Sequence, residues 1–152
     1  MFNPSPLKLE GYGVRAFSFS TDSEYDPEDA IDYDGLKLSV EREYKTNIEN
    51  PSLHFVKMKI SAKPKEKGSF PYSISLDIGG IFEARPTETC TEDKLKSIMY
   101  INGATILYGV AREYIYMATC HNMCGPFMLP SVSFASSPSQ QKGKGKSKKT
   151  AS

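Results

Sequence analysis

The sequence predicts an α+β protein, a four-stranded antiparallel sheet packed on one long helix. Two patterns carry that prediction. The first half holds four segments in which apolar and polar residues alternate, separated by turn-rich stretches. A long stretch without proline and with helical character then runs to about Thr119. At 152 residues, 39% hydrophobic and 24% charged, the chain is long enough for one domain with a real core. Its composition is globular rather than disordered.

The first strand spans Leu7 to Phe19, with Tyr12, Val14, Phe17 and Phe19 spaced for an imperfect strand. A kink or bulge near Gly11-Tyr12-Gly13 accounts for the irregularity. Asp22 to Asp34 follows, with Asp22, Glu24, Asp26, Glu28, Asp29, Asp32 and Asp34 and no Lys or Arg. That charge and Pro27 make it a loop. Leu36, Leu38 and Val40 alternate with Lys37, Ser39 and Glu41 to give the second strand. In the third, Phe55, Lys57, Lys59 and Ser61 share one face, and Val56, Met58, Ile60 and Ala62 the other. Lys63 to Gly68 is a turn by composition. Tyr72, Ile74, Leu76 and Ile78 alternate with Ser73, Ser75 and Asp77 in the cleanest strand. Gly79-Gly80 is expected to break it before Ile81-Phe82.

A helix is expected to begin between Thr89 and Glu92, where Thr89-x-x-Glu92 has capping-box spacing. Asn102-Gly103 is its expected weak point. Its apolar residues are Leu95, Ile98, Met99, Ile106, Leu107, Val110, Tyr114, Ile115 and Met117. They cover more than one stripe, so the helix needs more than one surface to bury against. A single sheet supplies one, and a second copy of the chain supplies the other; a homo-oligomer is therefore expected. His121 to Pro126 ends the helix, and Phe127, Met128, Leu129 and Pro130 lead to Val132 and Phe134. Beyond Ala135 the composition turns to Ser, Gln, Gly and Lys. The expected organisation is an N-terminal arm over 1–7, one domain over 8–135, and a disordered Lys-rich tail over 136–152.

Charge and cysteine usage bound the function. Residues 136–152 hold five Lys and no acid, so of the net +1 the remainder carries −4. Association with nucleic acid would rest on that tail alone. The tail has no aromatic residue for base stacking, so such contact is electrostatic and salt-sensitive. No charged and apolar leader is visible at the N-terminus, and no apolar stretch is long enough to span a bilayer. Three cysteines without a leader fit reduced thiols in the cytoplasm.

Three stretches carry a resemblance to a known family. Asn102-Gly103-Ala104-Thr105-Ile106-Leu107-Tyr108-Gly109-Val110-Ala111-Arg112-Glu113 resembles the central helix motif N-x-x-x-I-L-F-P-Y-A-R-E of SecB export chaperones. Gly125-Pro126-Phe127-Met128-Leu129-Pro130-Ser131-Val132-Ser133-Phe134 is similar to that family's loop G-x-F-P-x-L-x-L-x-P-V-N-F. Gly79-Gly80-Ile81-Phe82 matches its G-G-I-F. All three stand in the family's order and spacing, and the similarity covers roughly residues 8 to 135.

The resemblance implies a four-stranded sheet, a long helix and a dimer of dimers, a homotetramer. By position, Tyr72, Ile74, Leu76 and Ile78 match strand residues that support assembly. Leu36, Leu38 and Val40, with Phe127, Leu129 and Phe134, match positions that line apolar client grooves. The implied function is to hold unfolded polypeptides, including preproteins for export, without ATP. Non-directional burial tolerates many client sequences, and flexible Met123 and Met128 suit a surface that re-packs. A chaperone dedicated to one client, such as an antitoxin, is the variant within the family.

The chain departs from the pattern in three places. The family's C-terminal helix is expected to be missing, because Ala135 to Gln141 cannot replace it. Positions acidic in the family are Ala16, Ser20 and Ser75, where the motor SecA docks. The commonly acidic tail is here basic. SecA remains a possible partner on the family pattern, but these departures count against it.

No enzymatic site is expected. His54 and His121 are the two histidines, and neither lies in a nucleophile motif. Cys120, His121 and Cys124 cluster, but a structural zinc takes four ligands, so no metal or other cofactor is expected. The acidic loop fails as a calcium loop because Pro27 stands where glycine is required.

Overall fold

The structure, a computed structural model, describes residues 5–134. The arm expected over 1–7 lies there only in part, and the Lys-rich tail lies outside the described residues. Four strands, β1 (Lys8–Thr21), β2 (Leu36–Thr46), β3 (Leu53–Pro64) and β4 (Tyr72–Glu83), precede the helical part. They form one antiparallel sheet in the order β1-β4-β3-β2. Hairpin-connected β2, β3 and β4 are neighbours. β1 reaches the far side of β4 because the acidic loop carries the chain across the sheet.

Period-two alternation decides which face is buried. Val56, Met58, Ile60 and Ala62 of β3 and Tyr72, Ile74, Leu76, Ile78 and Phe82 of β4 all lie within 1% of complete burial. β1 reaches the same face only by skipping residues. Its register shifts between Leu9 and Gly11 and again between Val14 and Ala16. The second bulge lets Val14 sit opposite Ile78 and Phe17 opposite Leu76, so both are turned inward. The irregular spacing read from the sequence is thus a pair of bulges flanking the glycines.

Gly79-Gly80 does not break β4, contrary to expectation. Gly79 pairs with Lys57 and Gly13, and Gly80 pairs with Val56 and Tyr12, on both sides of the strand. The missing side chains are replaced by neighbours. A Cβ on Gly79 would stand 2.9 Å from the Phe55 ring, and one on Gly80 3.2 Å from Leu107. A central strand with both ladders filled continues through glycine.

The helical part runs as α1 (Glu92–Ile98), a π-helical turn (Met99–Gly103) and α2 (Ala104–Thr119), together a helix of 28 residues. Its N-cap is Thr91, whose hydroxyl accepts from the Lys94 amide at 3.4 Å. Thr89, expected in that role, instead belongs to the turn before it, where Cys90 N–H bonds back to Thr87. The π turn falls at the expected weak point. Gly103 within it allows close approach to the sheet, since a Cβ there would lie 3.0 Å from Met99 Sδ and 3.4 Å from Val56. Leu95, Met99, Ala104, Leu107, Ala111 and Ile115 bury against the sheet. Ile106 and Met117 do not, and remain 38% and 63% exposed, whereas Tyr114, 38% exposed, stands edge-on to Phe17 of β1.

Candidate functional site

β2 is an edge strand, and the helix does not cover all of its inner face. The chain after Thr119 does. It turns at Cys120 to Gly125 and runs back beside the helix as an extended strap without joining the sheet. Its direction follows from its partners. Phe127 N–H donates to Thr119 Oγ1 at 2.9 Å, Arg112 Nε–H donates to the Leu129 carbonyl at 2.9 Å, and the Tyr108 hydroxyl donates to the Pro130 carbonyl at 2.5 Å. Near the acidic loop, the Tyr33 hydroxyl donates to the Met128 carbonyl at 2.9 Å, and the Tyr72 hydroxyl to that of Gly125.

Alternate strap residues enter the core. Phe127 and Leu129 are fully buried and Phe134 is 9% exposed, whereas Met128, Ser131 and Ser133 face outward. Phe127 sits edge-on to Phe70, with ring centroids 4.9 Å apart, and also neighbours Tyr33 and Tyr72. Phe134 is edge-on to Tyr108 at 5.7 Å. Leu36 joins the same apolar cluster, and half-buried Leu38 and Val40 pack against it. All six residues expected to line a groove belong to the hydrophobic core or pack against it, and Arg42 of β2 stacks over Phe134 although the two lie far apart in sequence.

Tyr72, Ile74, Leu76 and Ile78, expected to support assembly, lie on the inner side of β4. They are buried within this protomer, Tyr72 against Phe19, Phe70 and Phe127. Their side of β4 is the core side, so they present no surface to a second copy.

Several residues that hold the strap escaped the sequence reading. Tyr33, Tyr108 and Arg112 are the strap's donors. Arg42 places its guanidinium carbon 3.9 Å over the Tyr100 ring and 4.8 Å over that of Phe134. The alternation of Leu36, Leu38 and Val40, continued two residues, puts Arg42 on the inner face, and that signal was available. Burial pushes the Tyr72 and Tyr108 hydroxyls up to about 12, so both stay protonated donors at neutral pH. Burial also raises the Cys124 thiol. Among the described residues no group of three or more His, Cys, Asp or Glu is arranged to hold a metal ion.

The outer sheet face is different in character. Ser39, Ser61, Ser75 and Ser18 stand in register across all four strands. Ala16, Ser18 and Ser20 are all exposed beside Ser75. Farther along, the glycines leave a shallow cavity of about 480 Å³ bounded by Gly11, Gly13, Phe55, Gly79 and Ile81. No helix among the described residues is long and apolar enough to cross a membrane.

Comparison with known proteins bears on both the chain and its fold. The family model described as preprotein translocase subunit SecB matches residues 14–144. Among solved structures, the chain is similar to a Mycobacterium tuberculosis SecB-like chaperone, determined in complex with a ChAD peptide from the HigA1 antitoxin. The two share 16% identity over 86% of this chain and 93% of that one, with a TM-score of 0.57. A Streptococcus agalactiae protein of unknown function matches at 14% identity, over 82% of this chain and 97% of that one, with a TM-score of 0.46. No curated protein matches in sequence.

Proposed function

This chain belongs to the SecB family, and from that premise we propose that it holds unfolded polypeptides in the cytoplasm without ATP. Members of the family are chaperones, not enzymes. The observation that carries the proposal is the apolar inner face of edge strand β2 at Leu36, Leu38 and Val40, on whose side the segment of Phe127, Leu129 and Phe134 is met by Arg42 and Tyr33. Exposed Tyr33 and Met128 border it, at 47% and 46% exposure. An unfolded segment gains roughly 25 cal/mol for each Å² of apolar surface it buries, whatever its sequence.

The working unit is a homo-oligomer, a dimer of dimers. Ile106 and Met117 leave the helix apolar on its outer side, and a second copy is the cover that removes it from water. Tyr72, Ile74, Leu76 and Ile78 support assembly indirectly, by fixing the helix on the sheet from within.

The outer face favours a dedicated client over general export. Ala16, Ser20 and Ser75 are uncharged where the family resemblance expects acids for SecA. A client such as an antitoxin needs the groove but not that face.

The test is an aggregation assay on an unfolded client, with mass measured in solution. Suppression without ATP by an assembly larger than a monomer is the expected result. A monomer that leaves aggregation unchanged overturns the proposal.

A further inference from the structure

The strap is held in an unusual way for an internal segment. An extended chain in a sheet is held by backbone partners. Here the carbonyls of Gly125, Met128, Leu129 and Pro130 are each met by a side-chain donor, from Tyr72, Tyr33, Arg112 and Tyr108. Carbonyls are common to every residue, proline included, so these donors read main chain and not sequence. Selectivity comes only from the apolar positions occupied by Phe127, Leu129 and Phe134, with the Arg42 guanidinium stacked over the last. Main-chain hydrogen bonds combined with apolar sites for spaced side chains are how a groove receives an extended guest.

We propose that residues 125–134 occupy the polypeptide groove as a built-in guest, and that an extended client segment takes their place when they leave. The inference rests on the holding function and adds its substrate class. The preferred guest is an extended segment with an aromatic residue, an aliphatic residue two positions on, and a second aromatic five beyond that. Proline is accepted between them. Because the groove is filled in most molecules, client affinity is lowered by the fraction in which it is vacant.

The experiment uses the full chain and a fluorescent peptide with the sequence of residues 125–134, beside a shuffled peptide. In the Leu129→Ala chain, the vacant fraction rises and the peptide binds roughly tenfold more tightly than to the unaltered chain; the shuffled peptide shows no such gain. Tyr33→Phe removes one exposed hydrogen bond, keeps the fold, and gives a smaller gain of the same sign. Hydrogen exchange supplies a test without substitution, since adding an unfolded client speeds exchange of the amides from Met128 to Phe134. Unchanged or slowed exchange, or no gain in peptide affinity in either variant, overturns the inference and makes the strap a fixed wall. If the chain suppresses aggregation while the strap's exchange stays constant, only this inference fails. If the peptide exchanges but no client is held, the holding function fails instead.

Discussion

The Tyr108 hydroxyl donates to the Pro130 carbonyl across 2.5 Å, joining the middle of the long helix to a strap residue 22 positions later. Proline offers no amide, so the carbonyl is its one backbone handle. Tyr108→Phe removes this bond while keeping the ring against Phe134. Unfolding in urea is expected to show a loss of about 1 kcal/mol, and strap amides should exchange faster.

The same geometry sets an alkaline limit. Tyr108 and Tyr72 have folded pKa values raised by burial to about 12, above about 10 for an unfolded tyrosine. A raised value means that their stabilisation is complete below pH 10 and disappears as pH climbs from 10 through about 12. Tyrosinate absorbance and exposure of the strap should rise together in that window. Strap release below pH 10 would contradict the assignment.

Asp22 sets a limit at the acid end. Its carboxylate accepts from the amides of Gly68 and Glu24, both at 2.9 Å, and those bonds hold its pKa below the ordinary value. A lowered value stabilises above the unfolded pKa and is lost as pH falls through it. Asp22→Asn should flatten the acid side of a stability–pH curve. An unchanged curve would remove the carboxylate from the argument.

His54 is buried with Nε2 3.1 Å from the Ala84 carbonyl and Nδ1 2.6 Å from the Tyr44 hydroxyl. A carbonyl only accepts, so Nε2 carries the hydrogen and, in the neutral ring, Nδ1 accepts from Tyr44. His54→Ala leaves a buried carbonyl without its donor and should cost about 1–3 kcal/mol. Denaturant unfolding measures this, and Tyr44→Phe should cost less than the alanine change.

Assembly and client binding separate by substitution. Ile106→Glu with Met117→Glu places charge on the exposed helix side, and the mass in solution should fall while circular dichroism is retained. Leu38→Ser on the β2 wall should weaken client binding roughly tenfold, equivalent to about 1.4 kcal/mol, with the mass unchanged. Unchanged mass in the first variant, or unchanged affinity in the second, removes that residue from its role.

The sequence by itself determined the strands, the helix and the inner sheet face. Period-two alternation in β3 and β4 and a long helical stretch are local signals, readable one segment at a time. The motif around Ile106 to Glu113 and the strap also stood in the sequence. Tertiary structure decided what those residues face. Gly79-Gly80 continue a strand because Phe55 and Leu107 fill their space, which no local pattern reports. Tyr72 to Ile78 belong to the protomer's core because the same chain packs over that face first. Tyr33, Tyr108 and Arg112 became strap-holding residues only when folding brought them to carbonyls far along the chain, and Arg42 when it came to lie over the Phe134 ring. Leu38 and Phe127, far apart in sequence, share one hydrophobic core because distant segments pack together, and that is a property of the folded molecule.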